Sequence, residues 1–351
     1  MADKNNEVIG SEELSIYDAL IKHYINLNYP KTNSNQIDDL FPVEPDPTEP
    51  VNPDPINPDP VEPDNPDPVQ PAVLPNVSFG DATEEQFATI INGYYNGDFT
   101  LNQIQSIWHV GDTRSIDISA MSAEYVGESH AAQTITIRII DFDHDELTTP
   151  INNKTKALLT VDLENCLAAS GTVIGSTNSE NGYMNSTAPI TDGWKNCERR
   201  NWCNNIFYNS LPLYIKNSIK TVNKANFILG EYIVSPLGGA ATVIVPDKTE
   251  VTEDKIFLLS AGEIITSENE EAADSAYIFR SILPIEGPTY NYYLDIRNRE
   301  KGPAWVEEAK TSCYWLRTRY SNNEFYEIRY NNNFAHSTIS NISGIAPAFC
   351  L

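Results

Sequence analysis

Basic residues are the first thing this chain lacks. Of 351 residues only 23 are Lys or Arg, against 49 Asp or Glu, giving a formal net charge of -26. Between Lys31 and Arg114 there is no basic residue at all. A chain this acidic is repelled by phosphate backbones, and no local basic patch breaks the pattern, so no nucleic-acid partner is expected. Long apolar runs are also missing. No segment approaches the roughly 18 consecutive apolar residues of a membrane span. The opening Met1-Ala2-Asp3-Lys4-Asn5-Asn6 has neither the basic nor the apolar region of a signal peptide. Synthesis in a cytoplasm without membrane insertion is the expectation. Cysteine is scarce. Cys166, Cys197, Cys203, Cys313 and Cys350 are too few and too irregular for a disulfide scaffold, and the spacing of Cys197 and Cys203 does not fit a zinc knuckle. Free, mostly buried thiols are expected. The five histidines, His23, His109, His130, His144 and His336, form no His-x-x-x-His or Cys-His pair. There is no Gly-x-Ser-x-Gly elbow, phosphate loop or dinucleotide fingerprint. No metal and no cofactor are implied.

What the chain does have is unevenly distributed. Residues 32–113 hold 15 of the acidic side chains, and 13 of the 23 prolines fall between Pro42 and Pro75. The segment Val43 to Pro71 repeats units such as Asn52-Pro53-Asp54-Pro55 and Asn57-Pro58-Asp59-Pro60. Proline fixes φ and biases the preceding residue to extended conformations, which rules out helix or sheet interior. A polyproline-II spacer is expected, about 29 residues reaching on the order of 90 Å and kept extended by its own carboxylates. The alternative is a ligand for a proline-recognition domain, although such ligands carry basic anchors that are absent here.

A spacer implies something at each end. Ser11-Glu12-Glu13-Leu14 opens a helical pattern with Leu14, Tyr17, Leu20, Ile21, Tyr24 and Ile25 on one face. One such helix cannot build a core. Residues 1–41 therefore read as an attachment or oligomerisation segment, the alternative being a helix packed back on the main domain. Residues 42–75 read as the acidic linker, and 76–351 as a globular domain of ample size.

Within the domain, Asp81-Ala82-Thr83-Glu84-Glu85 looks like a helix start followed by Phe87, Ile90, Ile91 and Tyr94. Strands are expected at Ile104–Val110, Ser115–Ile118 and Thr134–Ile140. A helical stretch is expected from Trp202 to Val222, and a short buried strand at Lys255–Ser260. Further strands are expected at Tyr314–Arg317, Phe325–Tyr330 and Ile345–Leu351. Helices and strands without regular alternation argue an α+β domain. Asp141-Phe142-Asp143-His144-Asp145-Glu146 clusters four carboxylates and an imidazole, but it lacks the twelve-residue calcium loop and reads as a solvated strand-end loop. His109 reads as a half-buried strand residue.

Six landmarks carry a resemblance. They are Trp108–Ile116, Ile139–Leu147, Trp194–Asn205 with Leu211-Pro212, Ile256–Ser260, Trp315-Leu316-Arg317 and Gly344–Phe349. In this order they resemble a family of unknown-function domains from gut bacteria and their phages, similar to the C-type-lectin-like fold. The family usually has Arg where this chain has Ala346. The resemblance implies a C-type-lectin-like head and a display role, not a catalytic activity. The calcium motifs Glu-Pro-Asn and Trp-Asn-Asp of that fold are absent from the globular part. Copper-dependent oxidases also use the fold, and Cys313 with Cys350 could mimic their cysteine pair, although packing suits Cys350 better.

Residues 318–343 are the most informative tract. Half of its 26 positions are Asn, Ser or Tyr, the chemistry of a paratope: Tyr gives rigid amphipathic contact, and Asn and Ser give adaptable hydrogen bonding. These side chains are expected to be exposed above a buried framework of Trp315 and Phe349. The alternative is an ordinary polar loop. The tract resembles the variable region of retroelement-diversified lectin-like proteins. The candidate ligand-binding residues are Tyr320, Asn322, Asn323, Tyr326, Tyr330, Asn331, Asn332, Asn333, His336, Ser337, Thr338, Ser340 and Asn341. The expected protein is a non-enzymatic phage virion adhesin. Its residues 1–41 would dock to a virion structural protein, and its head would bind a bacterial surface glycan or protein. It is expected to be a homo-oligomer, with a trimer possible by analogy. A bacterial surface-displayed binding protein is the alternative setting.

Overall fold

The computed structural model describes residues 72–122, 124, 129–167, 182–190, 192–228, 232–234, 242–244, 248–265, 286–302, 313–329, 334–341 and 343–351. All lie within the unit Pro68–Leu351, one of two into which the chain divides. The N-terminal helical pattern and the proline repeats up to Pro71 lie outside the described residues.

The helix signal at Thr83 is realised as α1 (Glu84–Asn96). The Thr83 hydroxyl accepts from the Gln86 amide at 3.2 Å, and the Gln86 side chain accepts from the Thr83 amide at 3.0 Å. Two backbone donors at the helix start are thus satisfied reciprocally. Gly97, at φ 87°, ends the helix in the left-handed region that glycine adopts without strain. The stripe Phe87, Ile90, Ile91 and Tyr94 is buried. A second reciprocal box between Thr100 and Gln103 starts the short α2 (Leu101–Gln105). This overrides the strand expected at Ile104–Val110, because the capping pair satisfies the backbone locally before any strand partner is needed. The turn that follows delivers Trp108 to the core, its indole donating to the Val77 carbonyl at 3.1 Å and its ring edge-on to Phe79. His109, expected to be half-buried in that strand, is exposed instead.

The strands are β1 (Thr113–Ile118), β2 (Gln133–Phe142), β3 (Glu146–Ile151), β4 (Lys154–Lys156) and β5 (Leu159–Leu163). After the helical region come β6 (Val222–Ile228), β7 (Tyr232–Val234), β8 (Thr242–Ile244), β9 (Lys248–Asp254) and β10 (Ile256–Phe257). The last are β11 (Tyr314–Ser321), β12 (Glu324–Ile328), β13 (Phe334–Thr338) and β14 (Ala348–Cys350). A five-stranded antiparallel sheet runs β1-β2-β5-β14-β10. Beside it are a sheet β4-β3-β6-β9, a ribbon β7-β8 that continues the register of β6 and β9, and a meander β11-β12-β13. Asn152 and Asn153, at φ 46° and 67°, make the tight turn between β3 and β4. The strands expected at Ser115, Thr134, Lys255, Tyr314, Phe325 and Ile345 all overlap observed ones.

The helical stretch starts and ends four residues earlier, and is more broken, than its periodicity predicts. It begins with α3 (Glu198–Trp202), passes through a π-helical turn at Cys203–Phe207 into α4 (Tyr208–Ser210), and resumes after Pro212 as α5 (Leu213–Ser218). Pro212 cannot donate to a continuing helix, so the chain breaks there. Val222 already belongs to β6. A one-turn helix α6 (Ala261–Ile264) completes the set. The architecture is α+β, with helices and antiparallel sheets around one apolar core.

Each tryptophan of the sequence landmarks, Trp108, Trp194, Trp202 and Trp315, is buried. Gly344 sits where the meander meets the core, and a Cβ there would stand 2.6 Å from the Cys313 carbonyl oxygen and 2.7 Å from the Cys166 sulfur. Gly344→Ala is therefore expected to destabilise the domain by about 1–3 kcal/mol, as overpacking does. Urea denaturation checks this, and an unchanged midpoint would show that the backbone there yields.

Candidate functional site

Burial divides the tract 318–343 in two. Thr318, Arg319, Phe325, Tyr326, Glu327, Ile328, Ile339 and Ser343 are buried, and these positions form framework rather than surface. Asn322, Asn323, His336, Thr338, Ser340 and Asn341 are exposed, and Tyr320 and Ser337 are half-buried. Tyr326, expected to be exposed, is only 3 % accessible, its ring packed edge-on against Tyr320. Tyr330, Asn331, Asn332 and Asn333 lie outside the described residues. Trp315 and Phe349 are buried as expected.

What fixes this surface is the inner half of β11. Arg317 is buried, and its guanidinium meets Glu263 through two bonds, Nη1 to Oε2 at 2.5 Å and Nη2 to Oε1 at 3.0 Å. It also donates to Asn226 Oδ1 at 3.1 Å and to the carbonyls of Leu258 and Glu286. Thr318 donates to Glu286 and accepts from the Ala261 amide at 2.7 Å. Arg319 donates to the Ile190 carbonyl and to the side chain of Asn322. Asn322 therefore serves the turn as well as the surface.

Glu263 is shared. Lys224, also buried, donates to its Oε1 at 2.7 Å, to Tyr290 at 2.8 Å and to Asp145. Asp145 further accepts from Tyr290, Thr160 and the Cys350 thiol, and His144 lies against it. This corrects in part the reading of Asp141–Glu146 as a solvated loop: Asp143 and Glu146 are exposed, but the other two carboxylates are not. Asp141 and Asp145 are 4 % and 6 % exposed, the first because its carboxylate caps the 3-10 turn at Asn291 and the second because Lys224 draws it inward. Burial alone raises the Glu263 carboxyl, but Arg317 and Lys224 outweigh it and bring the group down to about 2. Burial pushes His144 down, yet its contact with Asp145 leaves it above its ordinary value. A second buried cluster holds Asp162 between Arg138 at 3.1 Å and Lys301 at 2.6 Å.

On the outer side, β11, β12 and β13 place their side chains in two rows. The pairings Ser321↔Glu324 and Glu324↔Thr338 make a polar row. Tyr326↔His336, with Tyr320 leaning across, makes an aromatic one. Tyr320 and His336 stack at 3.7 Å and 8°, while Tyr326 meets Tyr320 edge-on at 5.4 Å. Glu324 lies 3.1 Å from His336 Nδ1 and accepts from the Ser321 hydroxyl at 3.1 Å. The turn Asn322-Asn323 is clamped through its carbonyls, which accept from the amides of Ile190 at 3.0 Å and Ile339 at 2.8 Å. The structure thus brings Tyr320, Tyr326, Asn322, Asn323, His336 and Thr338 together. Ser337 turns to the opposite face, where it donates to Glu327 at 2.9 Å. Ser340 and Asn341 follow β13 in an exposed turn. Glu324 was missed in the sequence because an isolated charge in an Asn-rich string carries no local signal; only the cross-strand register places it beside His336.

Cys166, Cys197, Cys203 and Cys350 are free, buried thiols. Burial pushes the thiols of Cys166 and Cys197 up to about 12 and that of Cys350 well up. Among the described residues no group of three His, Cys, Asp or Glu could hold a metal ion, and no helix is long and apolar enough to cross a membrane.

The family model described as a domain of unknown function (DUF6273) matches residues 155–351, more than half of the chain, which therefore belongs to that family. No curated protein matches the chain, and no solved structure does.

Arg317→Met would leave Glu263 buried with one cation fewer. It is expected to cost about 3–5 kcal/mol, the usual penalty for breaking a buried pair from one side. Chemical denaturation measures it, and a loss under about 1 kcal/mol would mean the network reorganises. The pH dependence has two limbs. Glu263, depressed, contributes stability that is complete above its unfolded value of 4.5 and is lost as pH falls through about 2. His144, raised, contributes stability that is complete below its unfolded value of 6.5 and is lost as pH rises through its folded value. His144→Asn should flatten the alkaline limb and leave the acid limb in place, as read from melting temperature against pH.

Proposed function

We propose that this protein is a non-enzymatic receptor-binding protein whose outer meander face recognises a ligand on a bacterial surface. The observation that carries the reading is the division of labour along residues 317–341. Buried, multiply bonded side chains hold the strands, and a contiguous aromatic and polar row projects from them with its turn clamped. Tyr, Asn and Ser at such positions combine rigid contact area with adaptable hydrogen bonding. The head in this reading is C-type-lectin-like. The setting is a phage virion, with residues 1–41 attached to a virion structural protein, residues 42–75 as spacer and the head carried as an oligomer.

The full chain, fluorescently labelled, is expected to adhere to a subset of a panel of intact bacterial cells. Tyr320→Ala combined with His336→Ala should lower adhesion about tenfold or more while the melting temperature stays within a few degrees, since both side chains lie at the surface. Tyr326→Ala, by contrast, should lower the melting temperature, because the ring is buried. Adhesion indifferent to the surface pair would overturn the reading. The neighbouring DNA tests the diversified origin separately. A reverse transcriptase and a near-copy of codons 318–343 differing mainly at adenines are expected, and absence of both sinks that part.

A further inference from the structure

We infer that the ligand of the meander face is a neutral carbohydrate, bound with a pyranose ring laid on the His336–Tyr320 stack and its hydroxyls on the row Ser321, Glu324 and Thr338. This rests on the recognition reading above and names its ligand class. A pyranose has an apolar face of C–H groups bordered by hydroxyls that both donate and accept. The face it needs is an aromatic surface flanked, one residue pair away, by a carboxylate and hydroxyls. The meander supplies that arrangement by register alone. Tyr326↔His336 and Glu324↔Thr338 are successive same-face pairs on β12 and β13, so the two rows stand about 7 Å apart. The imidazole is the outer member of the stack, with 42 % of its side chain exposed. Its orientation is set twice, by the 8° parallel contact with Tyr320 and by the 3.1 Å approach of Nδ1 to Glu324. A platform held in this way loses little side-chain freedom on binding. Among the described residues each Glu324 oxygen has one protein contact, His336 on Oε1 and Ser321 on Oε2. A carboxylate has about four acceptor positions, which leaves room for sugar hydroxyls.

Charge argues for a neutral sugar. An anionic ligand would meet Glu324 directly, on a chain of net charge -26. A cationic ligand would need the Tyr320 ring face and the Glu324 Oε1 site that His336 already occupies. A polyhydroxylated neutral ring asks for neither.

The test uses the full chain and the adherent cells identified above, treated either with periodate, which cleaves vicinal diols, or with a broad protease. Adhesion should be lost after periodate and kept after protease. On an immobilised panel of neutral and acidic oligosaccharides, binding should fall on neutral pyranosides. Tyr320→Ala and Glu324→Gln should each weaken it about tenfold, while Tyr320→Phe stays within about threefold. Protease-sensitive, periodate-resistant adhesion that still depends on Tyr320 would overturn the carbohydrate inference and leave the recognition reading standing, with a protein as ligand. Preferential binding to acidic oligosaccharides would overturn the neutral assignment. Adhesion independent of Tyr320 and His336 would overturn both. Melting curves of each variant separate loss of contact from loss of fold.

Discussion

The bidentate contact between Arg317 and Glu263 is the constraint on which the meander face rests. One guanidinium joins β11 to α6, to β6 through Asn226 and to the carbonyl of Glu286. A charge in such a place is costly to desolvate and worth keeping only when every donor finds an acceptor. Here the donors do, and the partner carboxylate is shared with Lys224, which carries the network on to Asp145 and Tyr290. The buried polar set thereby fixes β11 in one position along its length. An apolar replacement could hold the strand as tightly but would set its register less sharply, because hydrophobic contact is non-directional. Register matters here more than strength, since a one-residue slip would turn Tyr320 inward.

The same logic explains why the domain carries so many buried charges under so acidic an exterior. Asp145, Asp162 and Glu263 each face at least one buried cation, and those cations, Lys224, Arg138, Lys301 and Arg317, are drawn from the small basic complement of the chain. Much of the surplus negative charge belongs to residues 32–113, where no cation is available. Basic residues are few, and several are spent on the interior.

The sequence made the apolar framework legible and left the polar one hidden. Trp108, Trp194, Trp202 and Trp315 stood out as landmarks, and the helix start at Asp81–Glu85 and the alternation of Thr134–Ile140 announced their elements, because these are local signals. Asp141 and Asp145 did not, since a carboxylate looks solvated until its distant partner is folded against it, Asn291 at 150 residues for the first and Lys224 at 79 for the second. The strand expected at Ile104 failed for a related reason, an apolar run being ambiguous until the Thr100–Gln103 box decides it. At the candidate site, composition found Tyr320, Asn323 and His336. Only pairing across strands could turn Ser337 away from the row and add Glu324 to it, and only packing against Tyr320 could bury Tyr326 within it.

The place of β14 has a consequence for how the domain comes into being. Residues Ala348–Cys350 sit inside the five-stranded sheet, between β5 and β10, with Cys350 touching Thr160 across 190 residues of sequence. Until that short strand arrives, β10 has no neighbour in the sheet and β5 has an open edge. Contacts of such sequence separation close slowly. A ribosome must release nearly all of this domain before its central sheet can close.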